Sequence, residues 1–241
     1  MDLEKVREKL INLEDIIIQG LCQRARFKHN NAIYEHNSKK FLFSNNYEGT
    51  YFDFMFKPIE NVHAIAGRYE CFDERPFYKG LSQSVVKRDY NSKIPDDILK
   101  FSKKINFSPW IKISYLNFLK DLCSNGDDAN YGDSVLCDIF NLQAISKRIH
   151  YGILVMEAKY QKSPEIYNEL LSKDDDISIS SELKNVNVEL KVLERVREKS
   201  IKNGIKNPDV IVNFFKNIII PMTIQVELDY IFSKSILSKK S

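Results

Sequence analysis

The chain is poor in the residues that punctuate structure. Its 241 residues include eight Gly and seven Pro. So few breakers argue for helices over many short strands. The four cysteines, Cys22, Cys71, Cys123 and Cys137, form no C-x-x-C pair, which sets aside the common redox and zinc motifs. No run approaches the roughly 18 apolar residues of a membrane span, and residues 1 to 9 are mostly charged, unlike a secretory leader. Neither sign of charge prevails: 36 Lys and Arg meet 33 Asp and Glu, a net of +3. That balance gives no case for nucleic acid or an anionic membrane surface. A Gly-rich phosphate loop, G-x-S-x-G and H-E-x-x-H are all missing. These absences describe a reduced, soluble, cytoplasmic protein with no metal or cofactor motif.

What is present can fill a core, since 43% of residues are hydrophobic and 12% aromatic. Residues 3 to 25 follow the helical period through Leu3, Val6, Leu10, Leu13, Ile17 and Leu21. Residues 26 to 58, rich in Asn, Phe, Tyr and Lys, have no clear period and read as extended or looping. A short helix is predicted over 59–71. Another starts near Pro95, and "SPWIKISYLNFLKDLC" is helical up to the turn-rich "SNGDDANYGD". A long helix is predicted from about Asp133 to Gln161, followed by a short one opened by Pro164. "SKDDDISIS" reads as a loop, with Ser180 or Ser181 capping a helix that ends near Gly204. Asn207-Pro208 opens the last helix, which Pro221 interrupts without ending. No convincing strand pair is present, so the expected class is all-α: one domain, residues 1–241, built as a multi-helix bundle.

Several of these helices carry charge on the face that should be buried. Arg148 and Lys159 are eleven residues apart, about three turns, and share a stripe with Ala144, Ile145, Gly152 and Val155. Arg7 has Leu3, Leu10 and Ile11 as its helical neighbours. Glu189 lies among Val186, Val192, Leu193 and Val196, and Glu227 among Ile220, Thr223, Ile224, Tyr230 and Ile231. A long cation can run its stem along apolar surface and keep its head in water. An ionised Glu in an apolar stripe is harder to leave unpaired. Buried Arg–Glu pairs could be purely structural, though five such residues on four helices favour a polar pocket inside a bundle. Three cations there suit a small dicarboxylate, each Arg presenting a planar fork to a carboxylate. His150 points away from Arg148 on its helix and reads as structural. On the residues alone the reading stops at that point.

Five stretches carry a resemblance: "VREKLINLEDIIIQGLCQRARF", "YFDFMFKPIENVHAIAGRYECFDERPFY", "GDDANYGDSVLCDIFNLQAISKRIHYGILVMEAKYQ", "NVNVELKVLERV" and "IIIPMTIQVELDYIF". Together they resemble the chorismate mutases of the all-helical, long eukaryotic type, over nearly the whole chain and in family order. The resemblance implies a cofactor-free Claisen rearrangement of chorismate to prephenate, on the way to phenylalanine and tyrosine, by a homodimer. It also implies roles. Arg7 and Arg148 would grip the substrate carboxylates, and Lys159 and Glu227 would contact the ether oxygen. Glu189 would hold the ring hydroxyl, while Asn185 and Thr223 would line the site. Members of this type bind tyrosine or tryptophan at the dimer interface through an Arg-Arg and a Gly-Ser pair. Here those stretches read Gly67-Arg68 and Gly132-Asp133, with Ser134 adjacent, which puts the response to those effectors in doubt. The competing reading is a non-catalytic helical dimer of the same descent, acting as a binding or interaction module.

Overall fold

The structure, a computed structural model, describes residues 2–43, 46–87, 94–172 and 176–238. No strand occurs among them. The helices are α1 (Leu3–Arg24), α2 (Tyr51–Ile65), α3 (Asp96–Ser102), α4 (Ser108–Leu122), α5 (Tyr131–His150), α6 (Gly152–Lys162), α7 (Pro164–Ser172), α8 (Asp176–Leu183), α9 (Val186–Lys202), α10 (Pro208–Phe214) and α11 (Ile220–Ser238). A π-helical segment, Phe215–Ile219, joins the last two into one rod. The buried apolar side chains form one continuous cluster drawn from nearly every helix.

The layer that matters most for the site is α1 against α5 and α6 on one side and α9 on the other, with α11 packed along α5 and α6. Asp2 starts α1 by accepting from the Glu4 amide at 3.0 Å. Leu13, Ile17, Ile18 and Leu21 then bury one stripe. At the far end of α1, Arg24 is fully buried and donates to Asp138 of α5 at 2.8 Å. The Tyr34 and Tyr115 hydroxyls donate to the same carboxylate at 2.5 and 2.8 Å.

Three sequence expectations are corrected. The segment that reads as looping to residue 58 turns helical at Tyr51. The Thr50 hydroxyl caps α2 by accepting from the Asp53 amide at 2.9 Å. Its aromatics and Pro58 are poor helix formers, but Phe52, Phe56, Glu60 and Ala64 form a strict i, i+4 buried stripe and tertiary packing prevails. Pro58 sits on the exposed side. The helix then stops at Ile65, where Gly67 takes a left-handed φ of 78°, earlier than residue 71.

Second, residues 176 to 183 of the presumed "SKDDDISIS" loop and its sequel are helical, residues 173 to 175 lying outside the described set. The next helix is capped by Asn185, not by Ser180 or Ser181: its side chain accepts from the Val188 amide at 3.1 Å.

Third, the long helix breaks at Tyr151. The next residue approaches α11 closely: a Cβ on Gly152 would meet the Thr223 carbonyl oxygen at 3.0 Å and its methyl at 3.1 Å. α6 therefore begins with a residue that lets it touch the backbone of α11.

The last rod also answers the membrane question differently. Pro208–Ser235 is long and apolar enough to cross a membrane by length and composition. Its apolar side packs on α4, α5, α6, α8 and α9 instead. The π turn lies just before Pro221, and such single-turn widenings cluster at functional sites. His150 is buried and structural as expected. Its Nε2 accepts from the Phe107 amide at 3.0 Å, and burial with Arg75 nearby lowers its pKa to about 3.

Candidate functional site

Helices α1, α5, α6, α8, α9 and α11 enclose a cavity of about 700 Å³, within the range of small-molecule sites. All seven residues singled out for substrate line it: Arg7, Arg148, Lys159, Asn185, Glu189, Thr223 and Glu227.

The deep end is built by α6 and α11. Lys159 Nζ donates to Glu227 Oε2 at 2.7 Å and to the Leu183 carbonyl at 3.1 Å. Glu227 is only 4% exposed. Burial raises its carboxyl pKa, and Lys159 and Arg148 pull it back without cancelling the rise. One turn earlier on α11, the Thr223 hydroxyl donates to the Ile219 carbonyl at 2.7 Å and accepts from Arg148 Nη1 at 2.9 Å. The π segment thus fixes Thr223, and Thr223 orients Arg148.

Arg148 is 4% exposed. Burial pushes its pKa down, opposed by Glu14 and Glu227. Its Nη2 lies 3.6 Å from Glu14 Oε1, too far for a hydrogen bond, and its buried Nε has no partner. Arg195 of α9 donates to the other Glu14 oxygen at 3.0 Å, and its Nε is likewise without a partner.

Two members of this constellation escaped sequence reasoning. Glu14 has Leu10, Ile17 and Ile18 around it on the helix, so the test applied to Arg7 would have found it. Arg195 carries no such signal. It sits in "KVLERVREK", where charges on every side resemble a solvated face.

The outer end is looser. Arg7 donates to Glu4 at 2.5 Å one turn back on α1, and both side chains are well exposed. Asn185 spends its amide oxygen on capping α9, which leaves the amide nitrogen as the donor it can present to the cavity. Glu189 is half-buried on the wall that α9 supplies.

The residues considered for an effector site do not converge within one chain. Arg68 donates to Glu74 at 2.9 Å and to Gln143 at 2.7 Å, and contacts His63. Gln143 lies eleven residues beyond Gly132 on α5, about 16 Å along the axis. Asp133 is exposed in the first turn of α5. Ser134 is fully buried and accepts from the Asn30 amide at 3.1 Å.

Comparison with known proteins places this geometry. No family model matches the chain. The chorismate mutase of Schizosaccharomyces pombe is 33% identical, over 97% of this chain and 96% of its own. Among solved structures, the chorismate mutase of Candida albicans in complex with L-Trp superimposes with a TM-score of 0.87 at 33% identity, covering 96% of this chain and 90% of that one. AtCM1 with tyrosine bound in its allosteric site gives 0.83 at 30% identity, covering 97% and 96%.

Proposed function

The chain belongs to the chorismate mutase family and is an isomerase that turns chorismate into prephenate; we propose that the α1–α6–α9–α11 cavity is where it does so. One ether C–O bond breaks as one C–C bond forms, by movement of electrons around a six-membered ring. No proton, nucleophile or leaving group is required. The site's work is to select the compact substrate shape and to stabilise charge that grows on the ether oxygen.

The observation that carries this reading is the Lys159–Glu227 pair, donor to acceptor at 2.7 Å on facing helices, with Arg148 beside it. Lys159 supplies a preorganised positive partner to the developing oxyanion. Glu227, with its pKa raised by burial, acts protonated and donates to the same oxygen. Entry of a dianion strengthens that preference, because two more negative charges disfavour a third. Arg148 and Arg7 take one carboxylate each, Arg148 from the wall that Thr223 holds it against. Glu189 accepts from the ring hydroxyl, and Asn185 and Thr223 complete the walls.

Mixing the purified protein with chorismate and following loss of its absorbance tests the reading. Turnover well above the uncatalysed rate is expected. Folded protein without turnover would favour the binding-module alternative.

The same proposal extends to the assembly and its control. We read the chain as one domain that pairs into a homodimer. The exposed Ile16, Leu136 and Phe140 on the outer side of α1 and α5 support an apolar contact there. Four free cysteines fit a reducing compartment, for which we propose the cytoplasm. Tyrosine and tryptophan, ligands of its structural relatives, are proposed to act weakly here, because Arg68 is already paired with Glu74.

A further inference from the structure

The cavity is lined by seven cationic side chains and five carboxylates, a net of +2 in a chain whose total is only +3. Four of the cations have a carboxylate beside them: Lys159 has Glu227, Arg148 and Arg195 have Glu14, and Arg7 at the outer end has Glu4. Arg148 and Arg195 share one carboxylate, and three more lysines at the rim stand against the two carboxylates left there, Glu182 and Glu189. Lys162 closes α6, Lys184 lies in the turn between α8 and α9, and Lys191 is in the second turn of α9. All three are exposed, and none makes a hydrogen bond or ion pair through its side chain among the described residues. Three separate elements therefore bring free cations to the mouth of one cavity.

We propose that Lys162, Lys184 and Lys191 form a capture ring that gathers the dianionic substrate before Arg7 and Arg148 seize it. The proposal rests on the reading of this cavity as the chorismate site. An excess of one sign of charge around a low-dielectric cleft focuses the field outward and raises the local concentration of an oppositely charged ligand. The ring stands outside the reacting atoms. Chorismate, the transition state and prephenate all carry the same two carboxylates. The ring therefore binds the three about equally, which lowers KM and leaves kcat alone. Lys159 is the opposite case, since its partner charge exists only in the transition state.

Salt separates the two. Exposed charges act over about 30 Å at ~0.01 M ionic strength and only about 3 Å at ~1 M. The test compares a mouth triple, Lys162→Gln with Lys184→Gln and Lys191→Gln, against a control triple, Lys57→Gln with Lys79→Gln and Lys120→Gln. The control residues are also exposed and lie outside the cavity lining, so both triples change net charge equally. At ~0.01 M the mouth triple should lose roughly tenfold in kcat/KM, at the lower edge of what steering delivers. Its kcat should stay unchanged, prephenate should inhibit it less, and the loss should vanish at ~1 M salt. The control triple should match wild type at both. A mouth triple equal to wild type at low salt would overturn the proposal. So would a deficit that survives high salt, a fall in kcat, or an equal loss in the control triple. Wild-type protein without turnover at any salt would instead sink the chorismate reading, and the ring with it.

Discussion

Arg24 and Arg148 are both buried, both attached to the α1–α5 layer, and differ in how fully they are satisfied. Arg24 Nε reaches Asp138, its Nη1 the Lys28 carbonyl, and its Nη2 the His29 carbonyl and the Tyr34 hydroxyl. Asp138 in turn accepts from Arg24, Tyr34 and Tyr115. Arg148 has one good bond, to Thr223, one long approach to Glu14, and a buried Nε with nothing. A buried charge is tolerable when every donor is met. The first network is nearly closed, Asn141 Oδ1 and His29 Nε2 at its edge being the exceptions, and acts as a strut. The second is left open, and its missing partners are what a dicarboxylate would bring.

The largest effects should come from breaking each network at its centre. Asp138→Ala strands Arg24 in the core without a counter-ion, and breaking such a pair typically costs about 3–5 kcal/mol of stability. Denaturant unfolding measures it, and a loss below ~1 kcal/mol would mean the pair is no strut. Lys159→Ala should do the reverse. It removes a transition-state donor worth about 2.7–4 kcal/mol, or 10²–10³ in kcat, while the unfolding midpoint moves far less, because Glu227, its pKa already raised by burial, can go neutral. Activity within threefold of wild type would remove Lys159 from the role assigned to it.

The difference between the networks also explains what could be read in advance. That Arg7, Arg148, Lys159, Glu189 and Glu227 line one cavity is legible because each is a charge where the helical period demands an apolar residue. Being out of place marks a charge that needs a partner, whether a ligand or another side chain. Arg24 and Asp138 are equally out of place, yet they satisfy each other across 114 residues of chain. No local pattern announces a partner at that distance. Arg195 was hidden by charged neighbours, and α2 by its own aromatics and Pro58, whose weak propensity was outweighed by the Phe52–Phe56 stripe. How closely Gly152 of α6 meets Thr223 of α11 is a fact about packing between helices roughly 70 residues apart, which no local pattern carries.

A smaller effect, confined to part of the pH range, tests the protonation of Glu227. Its pKa is raised in the folded protein, burial outweighing Lys159 and Arg148. If the protonated form donates to the ether oxygen, activity is present below that pKa and lost as pH rises through it. Glu227→Gln keeps a donor that does not titrate, so its alkaline limb should flatten. Superimposable profiles for the two proteins would reject the protonated assignment.

The smallest expected effect is the response to aromatic amino acids. An amino-acid carboxylate needs a free cation or hydroxyl. In this chain Arg68 is bonded to Glu74 and Gln143, and Ser134 faces inward to Asn30. Position 67 is a glycine, and Asp133 adds a negative charge that opposes the ligand's own. A lost bond to a charged group is worth roughly 1.5–3 kcal/mol. Allosteric coupling is itself only about 1–3 kcal/mol, so one such loss can erase it. Steady-state rates against chorismate, with and without tyrosine or tryptophan at millimolar-scale concentration, should therefore overlap. Glu74→Gln sharpens the comparison by removing the ion pair that holds Arg68, leaving its bond to Gln143 and taking one of two carboxylates from Lys147. If tyrosine raises KM only in that variant, Glu74 is what silences the site. If tyrosine raises KM in the wild type and tryptophan reverses it, Arg68 exchanges Glu74 for the effector readily, and the pairing is a resting contact and no block.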